Sequence, residues 1–275
     1  MGRIAFRLLV LLPLIGGTAS AHEDVLIQIE RITLQMRQEP ARAVLYFRRG
    51  ELHRMHQDWT EARQDLERAV ELDPALSAAV LALGRLGNQC GDARYAKKYL
   101  DRFLAAEPDH GEALMERGRA NAQLGDAAQA VDDFNRGLEH LETVRPENFI
   151  ERADVLRSQR RQEEALRGLE EGVRRLGPAL PLQLVLVDLE IEMARIDAAL
   201  ARLDAIARTS ERQDLWLVRR GEILRQAGRR GEAHRAFASA IASIEALPDA
   251  RRRTKFTRDL ESTARAGLEA TNEKS

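Results

Sequence analysis

Apolar and small residues return along the chain at helical spacing, in pairs of stretches with an approach point in common. In 43–74, Tyr46, Gly50 and His53 share one face of a first stretch, and Ala62, Leu66 and Ala69 line the facing stripe of a second. Asp58-Trp59 makes the turn between them, and Pro74 stops the second, because proline has no N–H to donate and clashes with the preceding turn. Gly50, Ala62 and Pro74 recur as Gly84, Ala96 and Pro108, each 34 residues further on. A shared offset at three small or helix-breaking positions marks a repeat array. The small residues serve one purpose: two antiparallel helices approach closely only where side chains are short, and overpacking there costs roughly 1–3 kcal/mol.

The pattern resembles the tetratricopeptide repeat, a helix–turn–helix of 34 residues. The first repeat reads Tyr46, Arg49-Gly50, His53, Ala62, Leu66, Ala69, Pro74, and the second Val80, Leu83-Gly84, Gly87, Ala96, Leu100, Phe103, Pro108. The third reads Leu114, Arg117-Gly118, Asn121, Ala130, Phe134, Gly137, without its closing proline. Phe149, Ala153, Ala165, Leu169 and Gly172 carry the fourth, with one residue added before it, and Gly221, Ala233, Phe237 and Ala240 the sixth. The fifth departs most: Val187 stands at its small position, and 182–193 is apolar almost every second residue. Gly91, Gly125 and Gly228 end first helices, where positive φ is favoured.

The expected fold is therefore all-α, and the resemblance implies a right-handed α-solenoid of about six repeats, near 43–76, 77–110, 111–145, 146–179, 180–213 and 214–247. A helix over 22–40, with Val25, Ile29, Ile32 and Met36 on one face, covers the start of the stack. A last helix over 250–269, without a repeat partner and with a Phe256, Leu260, Ala264 stripe, caps its end; the tail from Thr271 is expected to fray.

The basic start (Arg3, Arg7), the apolar run Leu8–Ile15 and the small residues ending at Ala19-Ser20-Ala21 predict a signal peptide cleaved after Ala21, hence a periplasmic or secreted chain. The run is shorter than the roughly 20 apolar residues of a membrane span, so no stable span is expected after cleavage. Of the 275 residues 44% are hydrophobic and only 4% aromatic, so small residues and leucine must do the packing. A formal net charge of −1 offers no electrostatic case for nucleic acid. One cysteine, Cys90, excludes an internal disulfide; it is expected to be buried as a small apolar group.

The resemblance implies that first helices line a concave, peptide- or protein-binding face. The expected binding residues are Phe47, Arg48, Glu51 and Arg54; Leu81, Arg85 and Asn88; Met115, Glu116 and Arg119; Ile150, Glu151 and Asp154; and Val218, Arg219 and Glu222. Arg48, Arg54, Arg85 and Arg119 suggest a basic front stripe suited to carboxylates, with Glu151, Asp154, Asp188 and Glu192 making the rear more acidic; the bland reading is ordinary solvated or mutually paired charge. The Lys/Asn carboxylate clamp of some family members is absent, since Phe47, Glu51, Leu81 and Met115 stand at such places.

His53 and His56, with Asp58 nearby, sit at a spacing that can seat a metal, but His53 occupies an aromatic packing position and no third ligand is fixed. Arg251-Arg252-Arg253 with Lys255 reads as a solvated helix start. No phosphate loop, zinc-protease motif or nucleophile elbow occurs. These readings point to a non-enzymatic envelope adaptor binding protein or peptide without a cofactor. The alternatives are an accessory subunit for an enzyme acting on envelope polymers, and a self-assembling structural solenoid.

Overall fold

The computed structural model describes residues 18–272, with side chains from Asp24 onward; the expected signal peptide, Met1–Ala21, lies outside the residues whose side chains are described. Fifteen helices and no strand occur among the described residues. They divide into two compact units, the first ending at His140 and the second starting at Leu141. The division falls at the linker that lacks its closing proline and carries the added residue.

In the first unit, α1 (Thr18–Gln38) packs on α2 (Ala43–His56). Then α2 pairs with α3 (Trp59–Leu72), α4 (Ser77–Gln89) with α5 (Ala93–Ala106), and α6 (Gly111–Gln123) with α7 (Ala127–His140). Hairpin joins hairpin through α3 on α4 and α5 on α6. In the second unit, α8 (Pro146–Ser158) pairs with α9 (Gln162–Leu176), α10 (Leu180–Glu192) with α11 (Ile196–Thr209), and α12 (Gln213–Gln226) with α13 (Arg230–Glu245). A short α14 (Asp249–Arg252) leads into α15 (Lys255–Ala270). Pro146 opens α8, where a missing N–H costs nothing, and Asn148 Oδ1 accepts from the Arg145 amide 2.8 Å away.

Each hairpin closes at the small residue of its first helix. A Cβ at Gly50 would lie 2.8 Å from Leu66 Cγ, at Gly84 2.6 Å from Leu100 Cγ, and at Gly118 and Gly221 2.7 Å from Phe134 and Phe237. Val187 takes this place in the fifth hairpin and is buried with Ala199 and Leu203.

Arginine clamps add to the packing. Arg49, just before the close-approach glycine, gives Nε and Nη2 to Asp65 of α3, both at 2.7 Å, and Nη1 to Thr33 of α1 at 3.0 Å. Arg117 repeats this on Asp133 of α7 (2.9 and 2.6 Å) and Asp101 of α5 (3.1 Å). Hydrogen bonding to their aspartates holds both guanidinium pKa values above the usual value, against the lowering by burial. The fifth hairpin builds its buried pair from other positions, with Leu186 at the place of Arg117. Glu190 of α10 stands at the place of Asn121 and Arg202 of α11 at the place of Asp133, bonded at 2.7 Å. This rearrangement is one reason the fifth repeat matches the family pattern poorly.

Every hairpin turn places one residue in the left-handed region. The glycines expected there are found, Gly91, Gly125 and Gly228 at φ 76°, 82° and 75°, but Gln57, Arg160 and Ala194 take the same step at 68°, 58° and 57°. A Cβ in this region costs roughly 1–2 kcal/mol. Ala194→Gly is therefore expected to stabilise the second unit by about 1 kcal/mol, read as a raised urea midpoint; a lowered midpoint contradicts the strain.

Several expectations need correction. Cys90 is exposed, because it ends α4 at the turn instead of facing α5. The last helix, α15, packs on α13 and α12, with Leu260, Ala264 and Gly267 buried. Phe256 lies off that stripe, 50% exposed, with the Arg212 guanidinium 5.3 Å from its ring centroid. Thr271 does not fray; it is buried and its hydroxyl donates to Gly267 O at 2.8 Å. No described helix is long and apolar enough to cross a membrane.

Candidate binding surface

In the first unit the first helices α2, α4 and α6 lie side by side, and the residues expected on their open face prove to be bonded to one another. Arg54 gives Nε and Nη2 to Glu51 at 2.7 and 3.0 Å and reaches across to Gln89 of α4 with Nη1, 3.0 Å. Its pKa is raised by the Glu51 hydrogen bond, against burial, with Glu116 adding its field. Asn88 Nδ2 donates to Glu116 of α6, 2.8 Å to the carbonyl and 2.6 Å to Oε2. Arg119 binds the other oxygen of Glu116 at 2.8 Å, and Arg85 is paired with Glu112.

This corrects the basic stripe. Of its four arginines, Arg54, Arg85 and Arg119 each meet a carboxylate, so the row alternates in charge. Arg48 is exposed and has no ion-pair partner among the described residues. It borders a cleft between α1 and α2, beside Arg31 and Gln35 of α1 and Phe47 and Glu51 of α2. Leu81 and Met115 do not reach the surface. They are 8% and 2% exposed, and Met115 Sδ fills the space beside Gly137. Leu81 is buried in one cluster with Leu100, Phe103 and Leu104 of the second helix α5.

In the second unit, Ile150 and Glu151 of α8 are half-buried and Asp154 is exposed. Asp154 and Glu192 of α10 share Arg157 at 2.9 and 2.6 Å. Asp188 accepts from Arg219 of α12 at 2.8 Å, with Glu222 3.7 Å from the same guanidinium. Val218 is buried, 3% exposed, and leaves the surface to its neighbours. The expected acidic character is thus offset by arginines here too. Sequence reasoning missed Gln89, Glu112 and Arg157; Arg157 at i+3 from Asp154 was the readable signal, whereas Gln89 and Glu112 need the register between helices.

His53 and His56 both point Nδ1 at Asp58 Oδ2, 3.2 and 3.0 Å. The arrangement ties the end of α2 to the start of α3. No group of three or more metal-ligating side chains comes together among the described residues.

Tetratricopeptide-repeat family models match residues 43–76 and 81–140. No curated protein matches this sequence significantly. Among solved structures, the chain is similar to a tetratricopeptide repeat protein from Parabacteroides merdae, at 20% identity and TM-score 0.59, over 90% of this chain and 94% of that one. It is also similar to PilF of Pseudomonas aeruginosa, at 17% identity and TM-score 0.54, over 82% and 98%. A third is PilW, a widely conserved type IV pilus biogenesis factor, at 14% identity and TM-score 0.55, over 79% and 97%. At such identities the likeness establishes the fold: an all-helical array of helix–turn–helix repeats.

Proposed function

We propose that the chain is a non-enzymatic scaffold of the cell envelope that holds a protein or peptide against its first helices. The observation that carries this is the cross-helix row Glu51–Arg54–Gln89 and Asn88–Glu116–Arg119, with Arg85 on Glu112. Long side chains held in place by bonds to the neighbouring helix lose less freedom when a partner docks, and preorganisation of this kind lowers the cost of binding. Its alternating donors and acceptors suit an extended segment with mixed polar groups better than a polyanion. The periplasmic or secreted setting is supported by the leader-like Met1–Ala21 alone. Two of the fold neighbours are PilF and a pilus biogenesis factor, which is compatible with an assembly role in the envelope.

The test is affinity purification from envelope extracts with the tagged chain and with an Arg85→Glu, Arg119→Glu variant. Each change places like charge beside Glu112 and Glu116 and breaks the row. The native chain should retain a defined protein that the variant loses by at least about tenfold, with unchanged helix content. Equal retention by both forms removes the row from the account.

A further inference from the structure

The arginine clamp recurs with one part missing. In the first and third repeats the fork edge, Nε and Nη2, closes on an aspartate 16 residues later, Asp65 for Arg49 and Asp133 for Arg117. The remaining nitrogen, Nη1, reaches the residue 16 positions earlier, Thr33 or Asp101. Arg220 of α12 is the same residue of the sixth repeat, and its Nη1 keeps the earlier partner: Asp204 of α11, 2.7 and 2.8 Å to its two oxygens. The place 16 residues later is Ala236 of α13. Nε and Nη2 of Arg220 have no acceptor among the described residues.

The surroundings leave that edge reachable. Arg220 keeps 29% of its side-chain surface. It borders two clefts that share it and Leu217, one toward Arg208 and Trp216, the other toward Ala236, Arg235 and Ser239. Glu232 also lines the second cleft, but its carboxylate is already bound bidentately by Arg229 at 2.7 and 2.8 Å. Arg235 adds a second cation with no ion-pair partner among the described residues.

We propose that the cleft between Arg220 and Ala236 is a carboxylate-binding site, which takes an acidic side chain or the chain end of a partner peptide into the place that Asp133 fills from within the third repeat. A planar guanidinium edge matches a carboxylate bidentately, and Leu217 and Ala236 supply an apolar wall beside it. The site lies against second helices α11 and α13. It does not depend on the first-helix row, and the Arg85→Glu, Arg119→Glu variant leaves it intact.

Two experiments on the full chain test it. The first delivers the carboxylate from inside. Ala236→Asp should preserve or raise the melting temperature in the native background and lower it by several degrees beside Arg220→Gln. Equal effects in the two backgrounds overturn the proposal. The second uses fluorescein-labelled peptides and anisotropy. Leu-Ala-Asp-Leu-Ala amide is compared with its Asn counterpart, and Leu-Ala-Ala-Leu-Ala as free acid with its amide. The native chain should prefer one acid over its neutral partner by about tenfold, the first pair assigning an acidic side chain and the second a chain end. That preference should vanish in both Arg220→Gln and Ala236→Asp. No preference in either pair, or one that survives both substitutions, overturns it.

Discussion

Gly87→Ala is expected to be the most damaging single-methyl change in the first unit. A Cβ at Gly87 of α4 would stand 2.6 Å from the amide nitrogen and 2.7 Å from the Cα of Ala96 in α5. Both are backbone atoms, so no side chain can rotate away and the hairpin itself has to open. Alanine gains about 1 kcal/mol of helix propensity over glycine, and the clash outweighs that gain. The net loss is about 2–3 kcal/mol, read as a lowered urea midpoint. Gly84→Ala provides the comparison. There the intruding methyl meets only Leu100 side-chain atoms, which can shift, so its loss should be smaller. A native midpoint for Gly87→Ala would show that the two backbones do not touch at that point.

Asp133→Ala is the second large effect. Asp133 is 2% exposed and accepts three bonds, from Arg117 Nε and Nη2 and from Asn121 Nδ2 at 2.9 Å. Its removal leaves a half-buried guanidinium with only the exposed Asp101, and strands Asn121, itself 1% exposed. Breaking a buried pair from one side costs about 3 kcal/mol or more, because the remaining charge is left uncompensated. Asp101→Ala removes only the solvent-exposed half of the clamp and should cost less than about 1 kcal/mol. Denaturant titrations of the two variants check the contrast. Equal, small losses would mean that the clamp contributes nothing to hairpin closure.

Much of the fold was legible because close helix packing leaves a mark in composition. Gly50, Gly84, Gly118 and Gly221 announce where two helices touch, and their spacing announces how often. The turn glycines were legible for the same reason: φ near +75° favours one residue type. Gln57, Arg160 and Ala194 were not, since a single strained residue leaves no compositional trace. Gly87 is a second contact point, and that role depends on how far apart the backbones sit. The fifth repeat was obscured because Glu190 and Arg202 pair from the places of Asn121 and Asp133, while Leu186 replaces the clamp arginine.

The candidate surface was legible in outline and misleading in detail. Helical phase put Phe47, Arg48, Glu51, Arg54, Arg85, Asn88, Glu116 and Arg119 on an exposed or half-exposed row. The same phase put Leu81, Met115 and Val218 there, and they are buried against neighbouring helices. The charges follow the blander of the two readings, mutual pairing. Arg54 to Gln89, Arg85 to Glu112 and Arg157 to Glu192 are bonds between repeats, and pairing of this kind turns a basic stripe into a neutral, ordered one.

Photo-crosslinking in living cells tests the scaffold reading most directly. Crosslinkers placed at Phe47, Arg85 and Arg119 should trap one defined protein, while crosslinkers at the exposed second-helix positions Arg94 and Lys98 of α5 should not. Capture of that protein equally at both sets, or capture only of glycan or of the chain itself, would contradict a partner held by the first helices.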